Sequence, residues 1–342
     1  MKTVFISGAN GYIAQHIIKQ LLKDNKYRVI GSVRSEDKAD RIGQQFKSPN
    51  LTLEVVPDIS KLNAFDNLFQ KHGKDIKVVL HTSSPVSYST DDYEKDVLLP
   101  AINGTRSVLE AIKKYCPQTV EKVVITSSYA AVAGSKQEYQ RGTVITEDTW
   151  NPVTWEEAIS GAEAYSGSKT FAEKAAWDFW NANRDQVKFE MTVINPVFVF
   201  GPQAFDQNVG KKLNASCEII NRYLNTTPET EVDQKKAGSF IDVRDLARAH
   251  LAAFENAELA GQRLIVAAAR FSFQDIVDVL NEDFPQLKGK IAIGKPGAGK
   301  RRLKEISVLD NSKTKKLLGI DFMPFSKSID DTVDQILKAR GQ

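Results

Sequence analysis

Short apolar runs alternate with amphipathic stretches over the first two hundred residues of the chain. The amphipathic stretches repeat apolar residues at helical spacing, as Ile13, Ile17 and Leu21 do. Strands and helices in this alternating order form parallel sheets with right-handed crossovers. The pattern therefore predicts an α/β fold with a doubly wound parallel sheet. The predicted strands are 4–7, 28–32, 53–56, 78–81, 123–127 and 191–194.

A glycine-containing turn joins the first predicted strand to the first predicted helix. Glycine permits a tight turn and lets backbone N–H groups approach a phosphate, which then faces the positive end of the helix dipole. Ala14 replaces a third glycine, and its methyl group is small enough for close packing. We interpret the turn as the dinucleotide site of a Rossmann domain, with an ordinary strand–helix turn as the alternative. The expected contact residues are Gly8, Ala9, Asn10, Gly11, Tyr12 and Ile13.

The alternation changes near Gly201. Beyond it the sequence has mainly helical segments, including a predicted helix over 326–339, and a basic stretch over 294–302 that we expect to be a solvated loop. We therefore predict an NADP-binding Rossmann domain over 1–200. Residues 201–342 are expected to form mostly a smaller substrate-binding lobe, with some segments returning to the Rossmann domain.

The residue after the second predicted strand favours NADPH over NADH. NAD sites usually present a carboxylate here, which would repel a 2′-phosphate, whereas Arg34 can pair with one. Lys38 lies one helical turn further on and adds a second positive charge. The alternative is that both are ordinary surface charges. After the third strand, Asp58 and Ile59 are expected to contact the adenine, unless Asp58 is instead a helix N-cap.

A Tyr-x-x-x-Lys pattern supplies the candidate chemistry. In a helix, this spacing of four places Tyr165 and Lys169 one turn apart on the same face. A nearby ammonium group, together with an oxidised nicotinamide, is expected to pull the pKa of the phenol down from about 10. Lys169 is also expected to hold the ribose hydroxyls of the cofactor.

A serine at the end of the fifth predicted strand completes the candidate site. Ligands of such folds bind at the carboxyl edge of the sheet, where a hydroxyl can polarise a substrate carbonyl. We choose Ser128 for this role, with Ser127 as the alternative. The three catalytic candidates are thus Ser128, Tyr165 and Lys169, with tyrosine as the proton donor in carbonyl reduction.

Composition limits the classes of partner. The 342 residues include 46 basic and 43 acidic residues, a balance that indicates neither a nucleic-acid nor a membrane-surface partner. No apolar run approaches the ~20 residues of a membrane span, and the N-terminus lacks the pattern of a secretion signal. The two cysteines are far apart, and the four histidines lack metal-site spacing, so we expect no disulfide, no metal and a cytoplasmic protein. The sequence leaves the oligomeric state open between monomer and homodimer.

Four segments together resemble the extended short-chain dehydrogenases, within them the dihydroflavonol reductase-like branch. They are the glycine turn 8–14, the strand end 124–130, the Tyr-x-x-x-Lys segment 165–169 and the stretch 195–202. The resemblance extends over essentially the whole chain. It implies a Rossmann fold and NADPH-dependent reduction of small aldehydes, α-dicarbonyls and prochiral ketones.

The resemblance also implies site residues that spacing alone does not indicate. It implies that the backbone of Val199 meets the nicotinamide carboxamide and that Ser216 meets a phosphate of NADPH or NADP⁺. Small side chains in the substrate pocket predict a broad range of bulky ketones. The implied pocket residues are Val86, Tyr129, Ala133, Ala162 and Phe198.

Two other functions use the same framework. A sugar-nucleotide epimerase or dehydratase shares the fold, but such enzymes favour NAD, and Arg34 argues against that cofactor. A non-catalytic NADP-sensing regulator needs the glycine turn but not the serine, tyrosine and lysine. Reduction of a carbonyl substrate is therefore the favoured prediction.

Overall fold

A seven-stranded parallel sheet forms the centre of the molecule. The computed structural model describes residues 1–84 and 90–342. Each of the six predicted strands coincides with an observed strand, to within two residues at either end. The strands are β1 (Lys2–Ser7), β2 (Tyr27–Val33), β3 (Leu51–Val55), β4 (Ile76–His81), β5 (Lys122–Thr126), β6 (Val144–Ile145), β7 (Glu190–Pro196), β8 (Phe198–Phe200), β9 (Ala237–Asp242), β10 (Arg263–Val266), β11 (Ala269–Ser272) and β12 (Val308–Leu309).

The strand order of the central sheet is β10-β7-β5-β4-β1-β2-β3. All six strand pairs are parallel, which confirms the doubly wound Rossmann-type fold. The chain moves outward from β1 in one direction through β2 and β3, and in the other through β4, β5 and β7. Where the direction switches, the loops at the carboxyl ends of neighbouring strands diverge and leave a crevice, which is where such sheets bind ligands.

Helices cover both faces of this sheet. Because successive strand residues point to opposite faces, Val4 and Ile6 pack with α1 and α9, whereas Phe5 packs with α3, α4 and α7. The helices are α1 (Tyr12–Lys23), α2 (Glu36–Phe46), α3 (Asp66–His72), α4 (Leu99–Tyr115), α5 (Ser135–Glu138), α6 (Trp155–Ile159), α7 (Ala164–Asn183), α8 (Ala215–Tyr223), α9 (Val243–Glu255), α10 (Phe273–Asp283), α11 (Gly299–Arg302), α12 (Ser312–Leu318) and α13 (Phe325–Ala339).

A second, three-stranded sheet lies beyond the central one. It has the order β11-β9-β8, and its phenylalanine-rich core includes Phe200, Phe240 and Phe271 beneath α13. The helix predicted over 326–339 is therefore present as α13. The short strands β6 and β12 pair with each other across more than 160 positions of sequence, so this part of the molecule draws on residues from both sides of Gly201.

The basic stretch over 294–302 matches the predicted solvated loop only in part, since residues 294–297 are an exposed loop. Its last four residues form the short helix α11, and Gly299 is buried against Asp275. The guanidinium of Arg302 lies 5.3 Å from the ring centroid of Tyr139 and donates to the backbone carbonyl of Lys235. The helix at the end of the stretch was not predicted, because these long-range contacts leave no trace in local composition. Within the described part of the chain, no helix combines the length and apolar character needed to cross a bilayer.

Candidate active site

The glycine turn after β1 requires glycine at its first position. Gly8 has a φ of +72°, and a Cβ added there would lie 2.9 Å from the Cβ of Ser83, a distance that real side chains do not adopt. The hydroxyl of Ser7 accepts hydrogen bonds from the backbone N–H groups of Thr82 and Ser83. The two residues Thr82 and Ser83 are thereby fixed against the turn, which keeps the backbone compact where a ligand would approach.

Helix α1 begins directly at this turn with its backbone donors uncapped. Gly11 is the N-cap, no side chain accepts from the first-turn N–H groups, and the first turn carries no acidic residue. An anion satisfies such donors and the positive end of the helix dipole. The turn therefore fits the pyrophosphate of a dinucleotide.

Two cationic side chains line a cavity of about 200 Å³ beside the turn. Lys38 and Arg41 of α2 face Asn10 and Tyr12 across it. Arg41 also donates to Asn208 with a distance of 2.6 Å. Sequence reasoning missed Arg41, although its position three residues after Lys38 places it on the same face of α2 and was a usable signal.

Arg34 and Asp58 follow the neighbouring strands β2 and β3. Asp58 accepts hydrogen bonds from the hydroxyl and the backbone N–H of Ser60, and these hold its pKa below the usual range, with a weaker contribution from the charge of Arg34. The N-cap alternative for Asp58 was wrong, because the next helix begins only at Asp66. Ile59 is buried and packs close to Gly104.

The structure brings together the hydroxyls of Tyr165 and Ser128. Tyr165 lies in the first turn of α7 and donates to the Oγ of Ser128 with a distance of 3.5 Å. Ser127 instead donates to the buried Glu173, with a distance of 2.6 Å. Of the two adjacent serines, the second one thus faces the tyrosine and the first one faces the protein interior.

A buried ion pair supports the serine segment from behind. Glu173 and Arg263 lie 2.5 Å apart with side chains 0% and 9% exposed. Asn195 donates to Glu173 and to the backbone carbonyl of Ser128, while Arg263 donates to the carbonyl of Ala131. Each end of the segment from Ser128 to Ala131 is therefore hydrogen-bonded to this pair or to a residue bound to it.

Lys169 lies one helical turn beyond Tyr165, as the spacing predicts. Its ammonium nitrogen is 5.9 Å from the centroid of the tyrosine ring, and burial lowers its pKa to about 8. Burial of the hydroxyl raises the pKa of Tyr165, and the hydrogen bond to Ser128 opposes this rise. The residue as a whole remains 39% exposed. The expected lowering of the phenol pKa by Lys169 is thus not present in the chain alone, and the phenol is suited to act as an acid.

Ser128 and Tyr165 open onto a cavity of about 280 Å³. Three of the pocket residues implied by the resemblance, Tyr129, Ala133 and Phe198, line this cavity. Ala162 is not among its lining residues and lies just before α7. Val86 lies outside the described residues.

Val199 and Ser216 lie next to each other at the edge of the same cavity. The backbone N–H of Val199 donates to the hydroxyl of Ser216 with a distance of 3.2 Å. Ser216 lines the cavity of Ser128 and Tyr165 and is not among the residues that line the one beside the glycine turn. Their contacts with the carboxamide and a phosphate stay predictions.

The four histidines have separate structural surroundings. His81 is within hydrogen-bonding distance of the hydroxyl of Ser7, and burial lowers its pKa to about 3. Burial also lowers the pKa values of His16 and His250 to about 4. His72 contacts Glu54. Among residues 1–84 and 90–342, no three His, Cys, Asp or Glu side chains are grouped to hold a metal ion.

Comparison with known proteins identifies the relatives of this chain. It is 54% identical over 342 residues to the NADPH-dependent methylglyoxal reductase of Saccharomyces cerevisiae, with 99% of each chain covered. It is 47% identical to a putative NADPH-dependent methylglyoxal reductase of Candida albicans, with 98% of each covered. The crystal structure of the yeast methylglyoxal/isovaleraldehyde reductase complexed with NADPH superimposes with a TM-score of 0.96 at 55% identity, covering 99% of both chains.

The family assignment follows from a match over most of the chain. Residues 4–268 match the NAD dependent epimerase/dehydratase family, and they include the glycine turn, the Ser-Ser strand end and the Tyr-x-x-x-Lys helix described above. The chain therefore belongs to the NAD dependent epimerase/dehydratase family of extended short-chain dehydrogenases, the group that its motifs resemble.

Proposed function

We propose that this protein is an NADPH-dependent reductase that converts small aldehydes, α-dicarbonyls and prochiral ketones to alcohols. The observation that carries the proposal is the hydrogen bond between Tyr165 and Ser128 on the wall of a cavity, with a buried lysine one turn away. The relative at 54% identity is named an NADPH-dependent methylglyoxal reductase and the one at 47% a putative enzyme of the same kind, which supports the same reaction. The cations beside the turn do not favour a sugar-nucleotide epimerase, which would prefer NAD. The paired hydroxyls of Ser128 and Tyr165 do not favour a non-catalytic regulator.

The chain's own residues suit the proton side of this reaction. NADPH, when bound, supplies the hydride that reduces the carbonyl carbon. The hydroxyls of Ser128 and Tyr165 both donate to the substrate oxygen and stabilise the negative charge that develops there. Tyr165 then gives up its proton. Lys169, charged below a pH of about 8, stabilises the phenolate that remains and holds the ribose.

The cofactor side of the proposal rests on the fit described above. The glycine turn would hold the pyrophosphate, and Arg34, Lys38 and Arg41 would surround the 2′-phosphate that distinguishes NADPH from NADH. Asp58 would accept from the adenine amine.

Arg34→Asp is expected to raise the KM for NADPH by roughly 10- to 100-fold, because it replaces a charge-assisted hydrogen bond with repulsion. The KM for NADH should change little, so the preference of the enzyme for NADPH over NADH becomes smaller. Initial-rate kinetics with both cofactors measure this. Arg28→Asp is the matched control, since Arg28 is exposed near the opposite end of the same strand β2. Unchanged NADPH kinetics in Arg34→Asp would show that Arg34 does not contact the 2′-phosphate.

The rate of carbonyl reduction should depend on pH through Lys169. Burial lowers the pKa of this lysine to about 8, so it is charged below that pH and neutral above it. The value of kcat/KM, which reports groups of the free enzyme, is expected to fall as pH rises through about 8. In Lys169→Arg the inflection should disappear, because a guanidinium stays charged. A flat wild-type profile across this range contradicts the role given to Lys169.

The direct test of the function is loss of NADPH absorbance with methylglyoxal, 3-methylbutanal and an aryl ketone, with NADH measured in parallel. We expect turnover with NADPH and formation of the matching alcohols, identified by gas chromatography. If none of these carbonyl compounds oxidises NADPH, the proposed function is wrong.

Two further parts of the proposal are a cytoplasmic location and a monomeric or homodimeric state. The two cysteines are unpaired and buried, in keeping with a reducing compartment. Size-exclusion chromatography with light scattering would distinguish the two assembly states.

A further inference from the structure

The cavity of Ser128 and Tyr165 contains a carboxyl group that the proposed reaction does not use. Glu138 is the last residue of α5 and lines this cavity. One of its carboxyl oxygens lies 3.7 Å from the place that a Cβ atom on Gly238 would occupy, and the ring of Phe198 is next to the same place. Ser239, the next residue of β9, lines the same cavity. A substrate held by the catalytic hydroxyls therefore shares its cavity with a carboxyl group.

The position of Glu138 is fixed by contacts on both sides. Its backbone carbonyl accepts from the N–H of Ser307 with a distance of 3.0 Å. The hydroxyl of the adjacent Tyr139 donates to the carbonyl of Ala237 with a distance of 3.2 Å. Two separate segments of the chain thus hold Glu138 and its neighbour Tyr139, so the carboxyl group is presented from a rigid element rather than a free loop.

The carboxyl group of Glu138 lacks a polar partner among residues 1–84 and 90–342. No side-chain hydrogen bond or ion pair acts on it there; burial raises its pKa to about 7, and the charge of Lys236 opposes this only partly. The carboxyl oxygens of Glu138 are not among the buried polar atoms that lack a partner, so water in the cavity can reach them. A ligand that displaces this water replaces the lost hydrogen bonds only if it donates one itself.

We infer that Glu138 forms a polar subsite of the substrate cavity that accepts a hydrogen-bond donor, a hydroxyl or an ammonium group, located away from the reacting carbonyl. In its ionised form, the same carboxyl group repels a substrate carboxylate at that place. The inference rests on the proposed function and narrows its substrate class: among carbonyl compounds of equal size, those with a distal donor are preferred and those with a distal carboxylate are rejected.

Three ketones with one skeleton test this subsite. They are 4-phenylbutan-2-one with hydrogen, hydroxymethyl or carboxylate at the para position, and each is measured as kcat/KM with NADPH. Measured above a pH of about 7, where the carboxyl group of Glu138 is mostly ionised, Glu138→Gln is expected to raise kcat/KM for the carboxylate ketone by roughly tenfold, because it removes the negative charge. In Glu138→Leu, the hydroxymethyl ketone is expected to lose roughly tenfold, because its hydroxyl then has no acceptor.

A gain of activity towards the carboxylate ketone cannot result from damaged folding, so Glu138→Gln tests the proposal even if Glu138→Leu fails to fold. Glu156→Gln is the matched control, since Glu156 is exposed on α6 and does not line the cavity. If an aryl ketone binds without being reduced, its inhibition constant against 3-methylbutanal replaces kcat/KM. If kcat/KM, or the inhibition constant that replaces it, is the same for the carboxylate ketone in wild type and in Glu138→Gln, the proposed subsite is wrong. Absence of any NADPH oxidation by wild type would instead overturn the proposed function.

Discussion

Replacing Tyr165 with phenylalanine is expected to lower kcat for carbonyl reduction by about 10²- to 10⁴-fold, the usual contribution of a positioned general acid. The substitution removes the hydroxyl that donates to Ser128 at 3.5 Å and leaves the ring, which is the part that packs. Steady-state kinetics with 3-methylbutanal measure the loss. Cofactor binding should persist, as followed by fluorescence of bound NADPH.

Ser128→Ala provides the matching measurement for Tyr165→Phe. It removes the second donor to the substrate oxygen, so we expect a smaller fall in kcat than for the tyrosine. Ser127→Ala should differ from both, because Ser127 donates to Glu173 inside the protein and not to the cavity. Near wild-type turnover by Tyr165→Phe with cofactor bound would rule out the tyrosine as proton donor.

Glu173→Gln is expected to lower the free energy of unfolding by about 3–5 kcal/mol, because it leaves the guanidinium of Arg263 buried without its counter-charge. The pair lies 2.5 Å apart and almost wholly out of solvent. Urea unfolding measures the change. The double variant Glu173→Gln with Arg263→Met should recover part of the loss, since it removes both charges.

An exposed ion pair serves as the control for this buried one. Lys136 and Glu157 lie 3.9 Å apart with side chains 95% and 49% exposed, and such pairs contribute less than about 1 kcal/mol. Lys136→Met should therefore leave the urea midpoint nearly unchanged. If Glu173→Gln is equally mild, the buried pair does not stabilise the serine segment in the way described.

Local patterns predicted the parts of the molecule that local physics determines. The six strands and α7 follow from the spacing of apolar residues, and Gly8 follows from its place between a strand and a helix. Gly8 has a positive φ, and because glycine lacks a side chain, Ser83 can pack directly against it. The relative placement of Ser128, Tyr165 and Lys169 followed from fold rules, because strand ends and helix starts meet at the carboxyl edge of the sheet.

Contacts between distant parts of the chain were not predictable from one sequence. Glu173 and Arg263 are separated by 90 positions, and nothing in their neighbourhoods indicates that they meet. Glu138 appears in the sequence as one charge among many, and only the structure shows that it lines the cavity of Ser128 and Tyr165. Tertiary packing also accounts for α11, the short helix at the end of the basic stretch.

Strand β10 has a consequence for how this protein can be divided. It comes from beyond Gly201, yet its four buried residues form the outer strand of the central sheet beside β7. A fragment ending near residue 200 would leave the edge of β7 open to pairing with other chains and Glu173 without its counter-ion. Such a fragment should aggregate. Residues 1–200 and the rest of the chain therefore have to be expressed together and fold as one cooperative unit.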